Sequence, residues 1–513
     1  MAKKQETMFG DAAEIDKPIE QIYAQQINTD QNTVIFGNSL RTVLEGYLND
    51  GDVEKARKMF ACHHDEAMEA IAQYDPKLHK INLRDDKERL NKEDYETAKL
   101  SRPIQKGTNQ VGTFFMFGNA IDITLGNDPK EAEELKDVFE EYLEFLDSMY
   151  FHEQLYETRR ITGSETECAK LYSLVKDDDG NVDIVSQIKS NGNGDTLYPL
   201  FNQYGKLVAF AFGYILRNLE GKFDEHFDVY TKRDIWKFIR PQGAGSSKWA
   251  LYEHKEQEFG KLPVIYYHHE VDWEGAQPNT DQLEWRASKH SDTVEYFGDP
   301  YLLITADIAN NRLADAREVG KVIVMDDENG RFEYVTPPDS AEMVKNELES
   351  LKAAIGEDTL TPDWSYKSIM GLGTLSGEAM RRANLPGYVK RTQFAVGTYN
   401  KMIRRELNLN RDILCNYKYL NDSEKADKLR RMKLKFDYTD PFIGGIEDNS
   451  TEIATLVGAG AMSIHAAVSA NRYIKDKQAE EDRIWEEFER KTMIEAKAKA
   501  AAATETKNTK TEE

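Results

Sequence analysis

The sequence predicts an α+β chain in which helices flank a central block of short strands. Three observations carry this. Apolar residues recur at helical spacing over 36–75, from Pro129, and again over 279–297, 338–356 and 447–495. Runs rich in β-branched and aromatic residues alternate with Gly, Asn and Asp clusters over about 160–275. A smaller pair of strand runs lies at 300–335, between two helices.

Taken in order, residues 1–35 are polar, and SLRTVLEGYL and VEKARKMFACHHDEAMEAIAQY read as helices within 36–75. Residues 76–107 are charged and aperiodic, a loop with short helices. The run TNQVGTFFMFGNAIDITLG reads as two strands. From Pro129 an amphipathic helix places Leu135, Val138, Phe139, Tyr142, Leu143 and Leu146 on one face and Glu and Asp on the other. In the middle block, strands are read in KLYSLVKDDDGNVDIVSQI, LVAFAFGYILRN, FDVYTKRDIWKFIR, SKWALYEHK and LPVIYYHHEVDW. The loops DDDGN and QGAGSS supply residues that tolerate positive φ. Val208 to Leu216 is too short to cross a bilayer and reads as a buried strand.

Helices then return. NTDQLEWRASKHSDTVEYF is one helix over 279–297. YLLITAD and a hairpin KVIVMDD-ENG-RFEYV, turning at Asn329-Gly330, follow. Pro337-Pro338-Asp339 opens a helix through Ile355, with Val344, Leu348, Leu351 and Ile355 on one stripe. Residues 356–375 form a loop. Ser376, with Glu378 in the first turn, N-caps a long helix toward Cys415 that Pro386-Gly387 must kink or break. Over 447–495, Asn449 and Glu452 have capping-box spacing and Ser463 caps a further helix. From Ala496 the chain is Ala, Lys, Thr and Glu, expected to be disordered or a frayed helix.

Composition narrows the function. The 513 residues carry 67 basic and 91 acidic side chains, a net charge of −24. Proteins that grip nucleic acid draw their affinity from clustered Lys and Arg, so this chain does not grip phosphates, and if it meets DNA it should repel it at most points and let it slide. Hydrophobic residues are 40% of the chain, yet mean hydropathy is −0.67. A sizeable core with much polar surface fits an extended or ring-forming subunit. Cys62, Cys168 and Cys415 lie far apart, as in a reduced compartment without a disulfide framework. The start, MAKKQET, lacks the apolar stretch of a signal peptide, so the protein is expected to be cytosolic when made.

The clusters that resemble chemistry do not complete it. In Cys62-His63-His64-Asp65-Glu66, neighbouring helical residues diverge by about 100°, so Cys62, His63 and His64 do not converge on one ion. Asp177-Asp178-Asp179-Gly180-Asn181-Val182-Asp183 lacks the spacing and the twelfth-position Glu of a calcium loop. Gly243-Ala-Gly-Ser-Ser-Lys248 does not match a phosphate loop, and Leu375-Ser-Gly-Glu lacks the frame of a serine hydrolase. His268-His269 reads as one exposed and one packed histidine. No catalytic residue, cofactor or metal is expected, which points to an assembly component.

Four segments in order resemble the portal proteins of tailed bacteriophages, of the long-tailed-phage type. Gly260-Lys-Leu-Pro-Val-Ile-Tyr-Tyr resembles the family's "G-x-[IL]-P-V" strand, and Asp281-Gln-Leu-Glu-Trp-Arg-Ala-Ser resembles its "D-x-x-x-x-x-x-S" helix, with Asp299-Pro-Tyr-Leu-Leu-Ile after it. The helix 338–356, a loop and Ser376-Gly377-Glu378-Ala379 resemble "L-x-x-L-x-x-x-I … P … S-G-x-A". Residues 452–489 resemble its C-terminal pattern of helix, "aG-x-x-S", second helix and acidic run. The first 160 residues match poorly, and Pro386-Gly387 departs from a continuous helix.

The resemblance implies an α+β portal fold with helical stem and crown, β-rich wing and small α/β clip. By position, 1–278 are the N-terminal part of the wing, 279–298 and 337–356 the stem helices, and 299–336 the clip. Residues 357–375 are the tunnel loop, 376–446 wing with the spine helix (376–415), 447–495 the crown and 496–513 a disordered tail. It implies a homo-oligomeric ring of about twelve subunits at the capsid portal vertex of the virion. The implied partners are double-stranded DNA in the channel, the terminase large subunit, the major capsid protein, scaffold and neck or tail adaptors, with no membrane. Channel candidates are Glu342, Lys345, Glu349 and Lys352 on the stem, and Trp364, Tyr366 and Lys367 in the loop. Trp364 either packs the loop onto the wing or meets DNA. Clip candidates for partner binding are Asp307, Arg312, Asp315, Arg317 and Asp326. The competing readings are another virion structural protein (neck or capsid component), a nucleic-acid-processing enzyme, and a host scaffold protein.

Overall fold

The computed structural model describes residues 40–88, 94–176, 182–202, 204–219, 221–241, 248–298, 301–305, 321–325, 340–363, 382–420, 422–441, 453–471 and 477–508. The chain divides into two units. The first comprises Met1–Asp363 and Leu385–Pro441, the second Trp364–Asn384 and Phe442–Glu513.

In the first unit the elements are α1 (Leu40–Asn49), α2 (Val53–Arg57), α3 (His64–Tyr74), β1 (Lys87–Glu88), β2 (Asp94–Tyr95), α4 (Ile104–Phe117), β3 (Asp122–Leu125), α5 (Pro129–Ser148) and α6 (Phe151–Glu165). The strands β4 (Glu167–Lys176), β5 (Val182–Lys189), β6 (Thr196–Phe201), β7 (Leu207–Arg217), β8 (Phe223–Tyr230), β9 (Asp234–Pro241), β10 (Ala250–Glu256) and β11 (Val264–His268) follow. Next come α7 (Gln277–Gly298), β12 (Tyr301–Thr305), β13 (Lys321–Met325), α8 (Ser340–Asp358), α9 (Leu385–Phe394), α10 (Asn400–Ile413), α11 (Ser423–Arg431) and β14 (Leu434–Asp437).

The centre is layered. A five-stranded antiparallel sheet, ordered β10-β9-β8-β7-β6, lies against a three-stranded sheet ordered β11-β4-β5. Strand β7 reads as an apolar run because both of its faces are covered over Leu207–Phe212. Ala209 and Ala211 face Leu44, Leu48, Val53 and Phe60 of the N-terminal helical segment, together with Phe227 and Trp236. Phe210 and Phe212, one residue on, face Ala169, Leu171, Val264 and Tyr266 of the smaller sheet. The opposite face of that smaller sheet, through Tyr172, Ile265 and Tyr267, packs on α5, α6 and α10. The order is helix, sheet, sheet, helix.

Several expectations hold. The strand block lies within about 160–275, and α5 buries Leu135, Val138, Tyr142 and Leu146 as its stripe requires. Helix α8 turns Val344, Leu348, Leu351 and Ile355 away from solvent relative to its other faces. Pro386 stands in the first turn of α9, where its missing N–H costs nothing, so the helix begins there rather than passing through it. A Cβ at Gly387 would stand 2.3 Å from the Phe115 ring, so the glycine lets α9 approach α4. The helix then runs on through a π segment, Ala395–Tyr399, into α10.

Others are corrected. The stretch read as two strands at 108–126 is mostly α4, followed by β3. Helix α4 buries Thr108, Asn109, Val111, Gly112, Phe115 and Met116 around most of its circumference, and an all-round buried helix has no apolar stripe to distinguish it from strand. Helix α6 was not assigned from sequence; it is entered through Tyr150 at φ 54° and left through Thr166 at φ 67°. Strand β13 pairs in parallel with β12, Tyr301 opposite Lys321, while the 331–335 arm of the expected hairpin lies outside the described residues. The far end of β7 emerges from cover, leaving Ile215 and Leu216 exposed.

In the second unit, α12 (Ile464–Ala470) is capped by Ser463, whose side chain accepts from the Ala466 N–H, as expected. The helix α13 (Lys477–Asn508) continues past Ala496. The Ala-rich segment has too few apolar side chains to form a core but has the highest helix propensity, and propensity decides its backbone. Asn449 and Ser376 lie outside the described residues.

Candidate functional site

Helices α7 and α8 form an antiparallel-in-sequence pair joined by the short β12/β13 sheet, and they carry the sequence-derived channel residues. Across the pair, Arg286 Nε lies 2.9 Å from Glu347 Oε1 and Asn279 Nδ2 donates to Asp358 Oδ2 at 3.0 Å. Glu342, Lys345, Glu349 and Lys352 all lie on the solvent side of α8. With Glu347, Glu357 and Asp358, the helix has five acidic and two basic side chains, so its surface is mixed and net acidic. Trp364, Tyr366, Lys367, Asp307, Arg312, Asp315, Arg317 and Asp326 lie outside the described residues.

The anchoring of α7 was not read from sequence. One polar stripe of the helix, Asp281, Glu284, Ser288 and Asp292, receives the segment 79–102. Lys80 Nζ reaches Asp281 at 3.0 Å, and the Arg102 N–H donates to Glu284 Oε1 at 2.6 Å. The Leu100 N–H donates to Ser288 Oγ at 2.9 Å, and the Ala98 N–H to Asp292 Oδ1 at 2.8 Å. Arg84 donates to Asp292 Oδ2 at 2.5 Å and lies over the Trp285 ring. The helix side chains thus do for an extended backbone what a neighbouring strand would do, accepting from its part-buried N–H groups. The spacing 281, 284, 288, 292 is the i, i+3, i+7, i+11 signature of one helix face, and it was the available signal.

Within this anchor, His79 and Glu284 are almost fully enclosed, their side chains 1% and 2% exposed. The His79 Nδ1 lies 2.7 Å from Glu284 Oε1 and Nε2 lies 2.8 Å from the Gln73 carbonyl oxygen. Both ring nitrogens face acceptors, so both must carry protons to be satisfied. Burial alone would depress the imidazole, but the Glu284 hydrogen bond and charge outweigh it and raise its pKa.

Two further buried polar centres fix the layers. Glu406 of α10 accepts from Lys170 Nζ at 2.5 Å, Tyr172 OH at 2.7 Å and Tyr267 OH at 2.8 Å, tying the smaller sheet to the helix layer. Arg159 of α6 pairs with Asp272 at 2.9 Å, both enclosed, and Lys390 of α9 donates to the Asp272 carbonyl oxygen at 2.9 Å. A Cβ at Gly163 would stand 2.4 Å from Arg159 Nη1, so glycine makes room for the guanidinium. Burial lowers the Lys390 ammonium to about 8.

Cys62, His63 and His64 do not converge, although not for the helical reason expected, since Cys62 and His63 precede α3, which begins at His64. Instead His63 and Glu66 meet His268 at the end of β11, with one ligand-type atom from each within 4.8 Å of the others. The two imidazoles stack at 4.6 Å and 30°, and that contact by itself explains their proximity. His268 is exposed, and its neighbour His269 is packed between Phe394 and Tyr399. Among the described residues no helix is long and apolar enough to cross a membrane.

No curated protein matches the chain. A family model described as phage portal protein, SPP1 Gp6-like, matches residues 60–493.

Proposed function

The chain belongs to the SPP1 Gp6-like family of phage portal proteins, and from that premise we propose that its copies close into a ring of about twelve around a DNA channel. As a portal subunit it is a structural component of the virion at the capsid. In this reading α7 and α8 are the paired stem helices and 299–336 the clip, which docks the terminase large subunit and later the neck and tail adaptors. Residues 357–375 are the tunnel loop, with Trp364, Tyr366 and Lys367 nearest the passing DNA, and 447–495 the crown inside the capsid. The wing carries the contacts to the major capsid protein and scaffold.

The observation that carries the channel assignment is the α7–α8 pair, held by the 79–102 anchor at one end and presenting a mixed, net acidic outer face. Lysines spaced among carboxylates leave no continuous cationic track for phosphates, so duplex DNA is confined without being gripped. Native mass spectrometry with negative-stain imaging tests the reading. A closed ring near twelve subunits with a central opening supports it. A fixed assembly of another, non-ring symmetry refutes it.

A further inference from the structure

The chain is strongly acidic, yet its first unit contains a cleft of about 850 Å³ lined by Lys206, Lys232, Lys261, Lys401, Arg405 and Arg411. The cleft lies among the β6–β7 turn, the residues before β11, and one face of α10. Asp412 pairs with Lys261 and Arg411. Among the described residues no carboxylate lies within ion-pair reach of Lys206, Lys232, Lys401 or Arg405. Arg405 is half-buried in the cleft without a counter-charge. Burial first, and then the neighbouring Arg411, Lys232 and Arg405 charges, push the Lys261 ammonium down.

The opposite excess lies on α5. Glu133, Asp137, Glu140, Glu144 and Asp147 are all exposed and recur at intervals of four and three residues, which places them on one face of the helix. Five carboxylates are thereby ranged over about 21 Å, at 1.5 Å per residue. None has an ion pair in the described residues; Arg431 and Lys425 pair instead with Glu131, Glu134 and Glu141 on an adjoining face. Lys136 lies on the same helix and makes no ion pair among the described residues. Like charges at these spacings disfavour the helix unless something outside it supplies the counter-charge.

We propose that the Lys/Arg cleft of one copy receives the acidic α5 stripe of the next, forming the head-to-tail contact of the assembly. This rests on the ring reading above. Cleft and stripe are different surfaces of one chain, which is what a heterologous interface that closes by rotation requires. Charge complementarity also explains how copies carrying −24 each associate, because the repulsion between them is locally reversed at the contact.

The experiment is a charge swap on the full chain, read by sedimentation velocity at low and moderate salt, with circular dichroism confirming the fold. Cleft reversal (Lys232→Glu with Arg405→Glu) and stripe reversal (Asp137→Lys, Glu140→Lys, Glu144→Lys) should each raise the concentration needed for assembly by about tenfold or more. Carrying both reversals in one chain, or mixing the two reversed chains, should restore it. If Arg405→Glu impairs folding, Lys232→Glu with Lys401→Glu replaces it. Single reversals that assemble like the unaltered chain overturn the proposal while leaving the ring reading intact. So does loss of binding to a fluorescent DNA duplex with assembly unchanged, which would make the cleft a phosphate site. An unaltered chain that stays monomeric counts against the ring reading instead, and pairing in the mixture of reversed chains then decides the contact independently.

Discussion

Replacing Glu284 with alanine should release the inner end of α7. The substitution removes the acceptor for two donors, the enclosed His79 Nδ1 at 2.7 Å and the part-buried Arg102 N–H at 2.6 Å. Hydrogen bonds to a charged partner contribute about 1.5–3 kcal/mol each, so the loss should be about 3–6 kcal/mol. Because the damage is local, amide hydrogen exchange is the direct assay. Exchange at Ala98, Leu100 and Arg102 should accelerate by about a hundredfold or more, at about 1.4 kcal/mol per factor of ten. The pair also sets a pH dependence. The folded-state pKa of His79 is raised, so its stabilisation is complete below the ordinary histidine value and disappears as pH rises through the folded value. Glu284→Gln should abolish that dependence, since the amide can donate to a neutral imidazole. If Glu284→Ala leaves exchange at 98–102 unchanged, the polar stripe of α7 is not what holds this segment.

Three further outcomes are expected. Glu406→Gln should destabilise the first unit by about 3–5 kcal/mol by leaving the enclosed Lys170 ammonium uncompensated, and adding Lys170→Met should recover most of it; urea unfolding of the single and double variants decides. Burial raises the Asp228 carboxyl to about 6, so its proton is held more tightly in the folded state and stability falls as pH rises from about 4 to 6. Asp228→Asn should therefore raise the melting temperature at pH 7, by at most about 3 kcal/mol equivalent, and leave it nearly unchanged near pH 4. Gly387→Ala should lower the melting temperature, by about 1–3 kcal/mol equivalent, since its Cβ would collide with the enclosed Phe115 ring; an unchanged melting curve would mean that α9 does not sit this close to α4.

What the sequence determined by itself was whatever local patterning encodes. The 3.6-residue stripes of α5 and α8, the Ser463 cap, the interruption at Pro386 and the strand block all depend on neighbours within a turn or two, and all were legible. The four ordered segments made the family legible as well, and the family model spans 60–493. Helix α4 was not legible, because burial on nearly every side erases the stripe that identifies a helix. The anchor of α7 joins residues about 200 positions apart, His79 to Glu284 and Arg84 to Asp292, and only folding brings them together. The same holds for Glu406, which sits on a helix with an unremarkable sequence until three donors from two strands converge on it. The basic cleft is the clearest case. Its seven cations are spread from Arg41 to Arg411, where each is locally one charge in an acidic chain, and tertiary structure alone concentrates them into a surface of the opposite sign.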